Sequence, residues 1–60
     1  MENSYEIERF NGWEYVALFM SEDYDDILDE FNRRITDGEK QLRLIHILKE
    51  GPYEDELEEK

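Results

Sequence analysis

The sixty-residue chain contains no cysteine, one histidine, one proline and three glycines. Without cysteine there is no disulfide and no thiolate metal site, and a lone histidine excludes a histidine-rich one. Bases are scarce: seven lysines and arginines stand against eighteen acids, for a formal net charge of −11. A field of that sign repels nucleic acid, anionic membranes and phosphorylated substrates, and attracts basic proteins. Long hydrophobic runs are missing too. The longest, Val16 to Met20, falls far short of the ~20 apolar residues that span a membrane. Nothing near Met1 reads as a signal-peptide core, and a soluble, cytoplasmic protein is expected.

What is present argues for a fold. High net charge with few hydrophobic residues is the signature of disorder, but eight aromatic residues and a periodic apolar pattern over 4–49 point the other way. A chain of this length buries only about 60% of its unfolded surface, so its stability is marginal. With disulfides and metals set aside, oligomerisation is the remaining support.

Residues 4–10 alternate as a strand, Asn11-Gly12 suits a tight type I′ turn, and Trp13 to Met20 is rich in aromatic and β-branched residues. Together they predict a β-hairpin. From Ser21 to Ile35 the apolar residues Tyr24, Ile27, Leu28, Phe31 and Ile35 recur at helical spacing, which lines them along one face. Ser21 or Asp23 can cap this helix, Arg33 and Arg34 suit its C-terminal dipole, and Asp37-Gly38 ends it. Gln41 to Lys49 reads as a third strand, with Leu42, Leu44, His46 and Leu48 on one face and Arg43, Ile45, Ile47 and Lys49 on the other. Gly51-Pro52 stops it.

The expected fold is therefore α+β: one β-β-α-β domain over 4–49, followed by an acidic, flexible tail over 50–60. A right-handed crossover lays the third strand beside the first, giving a three-stranded antiparallel sheet of order 2-1-3 with the helix on one face. Strict alternation puts Val16, Leu18 and Met20 on one side of the second strand and Trp13, Tyr15, Ala17 and Phe19 on the other. A single helix covers only one side, so the second face is expected to pack against another copy or a partner protein.

The helix's polar side carries Glu22, Asp25, Asp26, Asp29 and Glu30, with Asp23 at the start. Carboxylates four positions apart lie about 6 Å apart along the axis, close to the spacing of backbone phosphates. Local effects explain part of this array. The dipole favours acids in the first turn, and Asp29 and Glu30 can pair with Arg33 and Arg34 four residues on. They do not explain the acids elsewhere (Glu2, Glu6, Glu8, Glu14 and the tail), because solubility alone asks for a net charge of only ~2–8.

The aromatic set interleaves with acids rather than bases, which speaks against direct nucleic-acid binding. Tyrosines such as Tyr15 and Tyr24, set beside carboxylates, suit a protein interface. His46 reads as a packed, hydrogen-bonded strand residue. Asp23-Tyr-Asp25 lacks the glycine and distal glutamate of a calcium loop. No nucleophile–base pair is evident and so short a domain has little room for a water-excluding pocket. No catalytic residue, metal or cofactor is assigned, and the chain is not expected to be an enzyme.

Local motifs carry a resemblance. Asn3-Ser-Tyr-Glu-Ile7, Trp13-Glu-Tyr15, Ser21 to Asp25 and Leu42-Arg-Leu44, in β-β-α-β order on a small acidic chain, resemble the small dimeric phage inhibitors of uracil-DNA glycosylase. The resemblance implies a homodimer whose carboxylates replace DNA phosphates in the enzyme's groove, with a hydrophobic cleft for a protruding apolar loop residue. It points to Glu14, Tyr24 and Asp25 as contacts. The expected function is thus a DNA-mimic inhibitor that occludes the DNA site of host uracil-DNA glycosylase, through Glu14, Tyr15, Glu22, Tyr24, Asp25, Asp26, Asp29 and Glu30. The alternatives are an acidic phage inhibitor of an RNA polymerase, restriction enzyme or CRISPR effector, and a non-mimic adaptor whose charge serves solubility.

Overall fold

A computed structural model describes residues 3–47 and 54–60. Five elements follow one another: β1 (Ser4–Phe10), β2 (Tyr15–Ser21), α1 (Tyr24–Thr36), β3 (Leu42–Ile47) and β4 (Glu54–Glu59). All four strands form one antiparallel sheet of order β2-β1-β3-β4. The expected 2-1-3 order is present, and a fourth strand extends it. The end that was expected to be flexible instead supplies that strand over Glu54–Glu59, despite five acids in six residues. Its backbone is held by the ladder to β3, completed by Lys60 N–H donating to the Leu42 carbonyl and Leu42 N–H to that of Lys60, both 2.9 Å. As an edge strand it leaves the side chains of residues 55–59 in water, so the acids cost the ladder little. Leu48, Lys49, the Gly51-Pro52 stop and Tyr53 lie outside the described residues.

The hairpin loop is longer than the two residues Asn11-Gly12 suggested. Phe10 pairs with Tyr15, leaving a four-residue loop. The Asn11 side chain fastens it by accepting from the Trp13 and Glu14 N–H groups (2.8 and 2.9 Å), while Asn11 N–H donates to the Glu14 carbonyl (3.0 Å). Asn11 uses its amide as a turn mimic, and only Gly12 takes a positive φ, +97°. Trp13, read as a strand residue, belongs to this loop and is 88% exposed.

The helix starts where the sequence placed its caps. Asp23 is the N-cap, its carboxylate accepting from Asp25 N–H (2.9 Å), and Ser21 Oγ accepts from Asp23 N–H (3.0 Å). At the other end Gly38 adopts φ +96°, and the Asp37, Gly38 and Glu39 N–H groups satisfy the carbonyls of Arg33, Ile35 and Arg34, as a glycine-terminated helix does.

Ile27 and Phe31 of α1 pack onto Ile7, Leu42 and Leu44 of the sheet, all five without solvent exposure, with Tyr5, Leu18, Leu28 and Ile35 around them. Burial of each such side chain contributes about 1.5–3 kcal/mol. A β-bulge sets which residues of β2 join them. Ile7 pairs with Phe19 but Glu8 with Ala17, so Leu18 is the extra residue. The slip transfers Phe19 to the helix side and Met20 to the far side, reversing the alternation expected for that half of the strand, because strand side chains change face with every residue.

The far face differs from the open apolar surface expected there. By register it carries Glu6 and Glu8 of β1, Arg43 and Ile45 of β3, and Glu56 and Glu59 of β4. Ile45 is 1% exposed between its two glutamate neighbours. Exposed large apolar side chains are most numerous on and beside β2, with Tyr24 of α1 and Leu57 of β4 elsewhere.

Candidate functional site

The eight candidate residues fall into three places. Glu22, Asp25, Asp26 and Asp29 are exposed on the N-terminal half of α1 and in the residues leading into it, and Tyr24 opens the helix on the side of the Ile27–Phe31 stripe. Within the helix, Asp25, Asp26 and Asp29 are three and four residues apart and form a ridge along it, with Glu22 just before the N-cap. Among the described residues, no base pairs with Glu22, Asp25, Asp26 or Asp29. Tyr24, 42% exposed, sets its ring against Tyr5 edge-on at 5.2 Å, and Tyr5 stacks on His46 at 4.9 Å. These three rings brace the start of the ridge against the sheet. His46 is held by that stacking, and its buried Nε2 has no hydrogen-bond partner among the described residues.

Glu30 does not belong to the ridge. It is 8% exposed and accepts from both Arg33 and Arg34, the latter at 2.8 Å, while Arg34 also reaches Glu39 at 3.4 Å. The expected Glu30–Arg34 pair forms, but Arg33 turns to Glu30 rather than to Asp29. Glu30 sits one position before Phe31 and three after Ile27, at the margin of the buried stripe, so its carboxylate must be matched by charge to be sheltered. Glu30→Ala is expected to lower unfolding free energy by about 1–3 kcal/mol through loss of charge-assisted hydrogen bonds while leaving partner binding unchanged. Urea unfolding and a binding titration on the same variant check both halves.

Glu14 and Tyr15 lie apart from the helix. Glu14 is exposed in the hairpin loop. Tyr15 belongs to a constellation on the far face that no sequence pattern announced. The Arg43 guanidinium lies 3.7 Å from the Tyr15 ring centroid and holds Glu8 Oε1 at 2.8 Å through Nε and 2.7 Å through a terminal nitrogen. The Tyr15 hydroxyl donates to Glu59 Oε2 at 2.8 Å, and Phe10 flanks the ring at 5.2 Å. Strands β2, β1, β3 and β4 each contribute a member, so this array ties the sheet together across its width. Only the four-strand register brings Glu59 opposite Arg43.

The hydrogen bond to Glu59 raises the Tyr15 phenol above its ordinary value, helped by desolvation and the glutamate's charge. A raised phenol pKa means the folded state favours the neutral hydroxyl. The resulting stability is fully present below the ordinary tyrosine pKa of about 10 and is lost as pH rises through the higher folded value. In alkaline titration monitored by tyrosinate absorbance, one tyrosine is expected to ionise late, and Tyr15→Phe or Glu59→Ala is expected to remove that late phase.

Three arginines are thus consumed within the fold, by Glu30, Glu39 and Glu8, whereas the ridge acids remain exposed. Among the described residues no cluster of three or more histidine, aspartate and glutamate side chains could hold a metal ion, and no helix there is long and apolar enough to cross a membrane. Comparison with protein-family models, with curated proteins and with solved structures found no match to this chain.

Proposed function

We propose that this chain is a DNA-mimicking inhibitor that lays its α1 carboxylate ridge into the basic groove of a DNA-binding enzyme. Host uracil-DNA glycosylase is the target favoured by the sequence resemblance. The observation that carries this reading is the segregation of charge. Arg33, Arg34 and Arg43 are spent on glutamates within the fold, while Asp25, Asp26 and Asp29 on α1 and Glu22 just before it stand exposed with no base paired to them among the described residues.

The energetics of the ridge support a use outside the fold. Asp25/Asp29 is a like-charge pair one helical turn apart, destabilising by about 0.2–0.5 kcal/mol. The dipole offsets this for acids in the first turn only. A groove built to hold phosphates with lysine and arginine relieves that repulsion and releases the anions it held. Exposed Tyr24 beside the ridge adds apolar contact that salt does not screen. In this reading two copies act together.

The test is uracil excision from a duplex by purified host glycosylase. Excision is expected to stop near one inhibitor assembly per enzyme. Undiminished excision at stoichiometric excess would sink the glycosylase assignment. Capture of a different DNA-handling enzyme, released by competing duplex, would move the same surface to another target.

A further inference from the structure

The two edges of the sheet are unlike. β4 forms one edge with five acids in six residues, a charged border of the kind that prevents strand pairing. β2 forms the other, and its seven residues Tyr-Val-Ala-Leu-Phe-Met-Ser include no charge. On β2, Val16, Phe19 and Met20 are 42%, 37% and 58% exposed, with Trp13 at 88% just before it. The bulge at Leu18 distributes them: by register Val16 and Phe19 share the helix side, while Ala17 and Met20 share the far side. Apolar surface is therefore available on both sides of an edge that, among the described residues, has no further strand beside it.

We propose that a second copy of this chain joins along β2, edge to edge, so that two four-stranded sheets become one. Charge selects this occupant. Each copy carries −11, so approach through the acidic helix ridge or through β4 sets like charges together. The β2 strand itself places no carboxylate in such a seam, Glu14 and Glu22 lying just beyond its two ends. A basic partner, by contrast, is drawn to the ridge and to β4 rather than to a neutral edge. Pairing also covers the apolar groups that a sixty-residue core cannot enclose. The inference rests on the two-copy form of the reading above and names its seam.

Sedimentation of the full chain at micromolar concentration is the test. The expected mass is twice the 7.4 kDa of one chain, and association is expected to tighten with added salt, because salt screens the repulsion between two acidic copies. Val16→Lys with Phe19→Lys is expected to weaken association at least tenfold, whereas Glu56→Gln on β4 leaves it no weaker. Should the double variant lose its fold, amide exchange of the wild type decides: β2 amides are expected to gain protection as concentration rises. A wild-type mass of one chain throughout, or a dimer whose β2 amides gain no protection, would overturn the proposal. A monomer that still blocks uracil excision removes this seam and leaves the inhibitor standing; a dimer that leaves excision undiminished does the reverse.

Discussion

Phe31→Ala is expected to leave the chain largely unfolded at room temperature. Phe31 has no solvent exposure and packs with Ile7, Ile27, Leu42 and Leu44, and truncating a buried phenylalanine costs about 3–5 kcal/mol. A domain of this length has a total stability of roughly 3–9 kcal/mol at ordinary per-residue values. The loss therefore takes most of the margin, with no second core layer to absorb it. The far side of the sheet is held by the Glu8–Arg43–Tyr15–Glu59 array, which depends on the register that the core fixes. Helical circular dichroism and a urea titration check the outcome. A cooperative transition within about 1 kcal/mol of wild type, the range of ordinary surface changes, would show that this core does not carry the fold.

Reversal of the ridge, Asp25→Lys with Asp26→Lys and Asp29→Lys, is expected to act in the opposite sense on two readouts. Binding to the target enzyme should weaken by about tenfold or more for each reversal, as expected when about 1.4 kcal/mol of favourable contact is lost at a charged groove. The fold should lose no more than about 1–2 kcal/mol, the first-turn dipole contribution of Asp25 and Asp26. These three side chains are exposed and enter no ion pair among the described residues. The change at position 26 also sets a cation one turn from Glu30, where a repelling acid stood. A variant that binds as tightly as wild type removes α1 from the interface. One that unfolds shows the acids to be structural.

The contrast between these substitutions mirrors what was legible in the sequence. The stripe Ile27, Phe31 and its neighbours follows from helical period, and Asp23 and Gly38 follow from cap chemistry; both are local signals. The order β2-β1-β3 follows from topology. Non-local balances were not legible. The last strand is nearly all acid, so propensity and hydropathy both describe a solvated tail, and only backbone pairing with β3 makes it a strand. The bulge at Leu18 has no sequence marker, yet it exchanges the faces of Phe19 and Met20. Asn11-Gly12 marked the turn, but Asn11 closes a wider loop through its side chain.

The candidate site divides in the same way. Asp25, Asp26 and Asp29 share a helix face because helical spacing alone places them there, whereas Glu22 precedes the N-cap and Tyr24 falls on the apolar side. Glu30 has the same composition and nearly the same phase, but it borders Phe31 and is drawn inward by two arginines. The partners of Tyr15 depended on the fourth strand and could not be named before it was known.

The central claim is that the ridge takes the place of DNA. It is tested most directly by competition on purified host uracil-DNA glycosylase, titrating labelled protein in the presence of rising concentrations of a non-cleavable uracil-containing duplex. The expected result is mutual exclusion: the apparent dissociation constant rises in proportion to duplex, and no complex holds both. An affinity independent of duplex, or a ternary complex, would contradict the account.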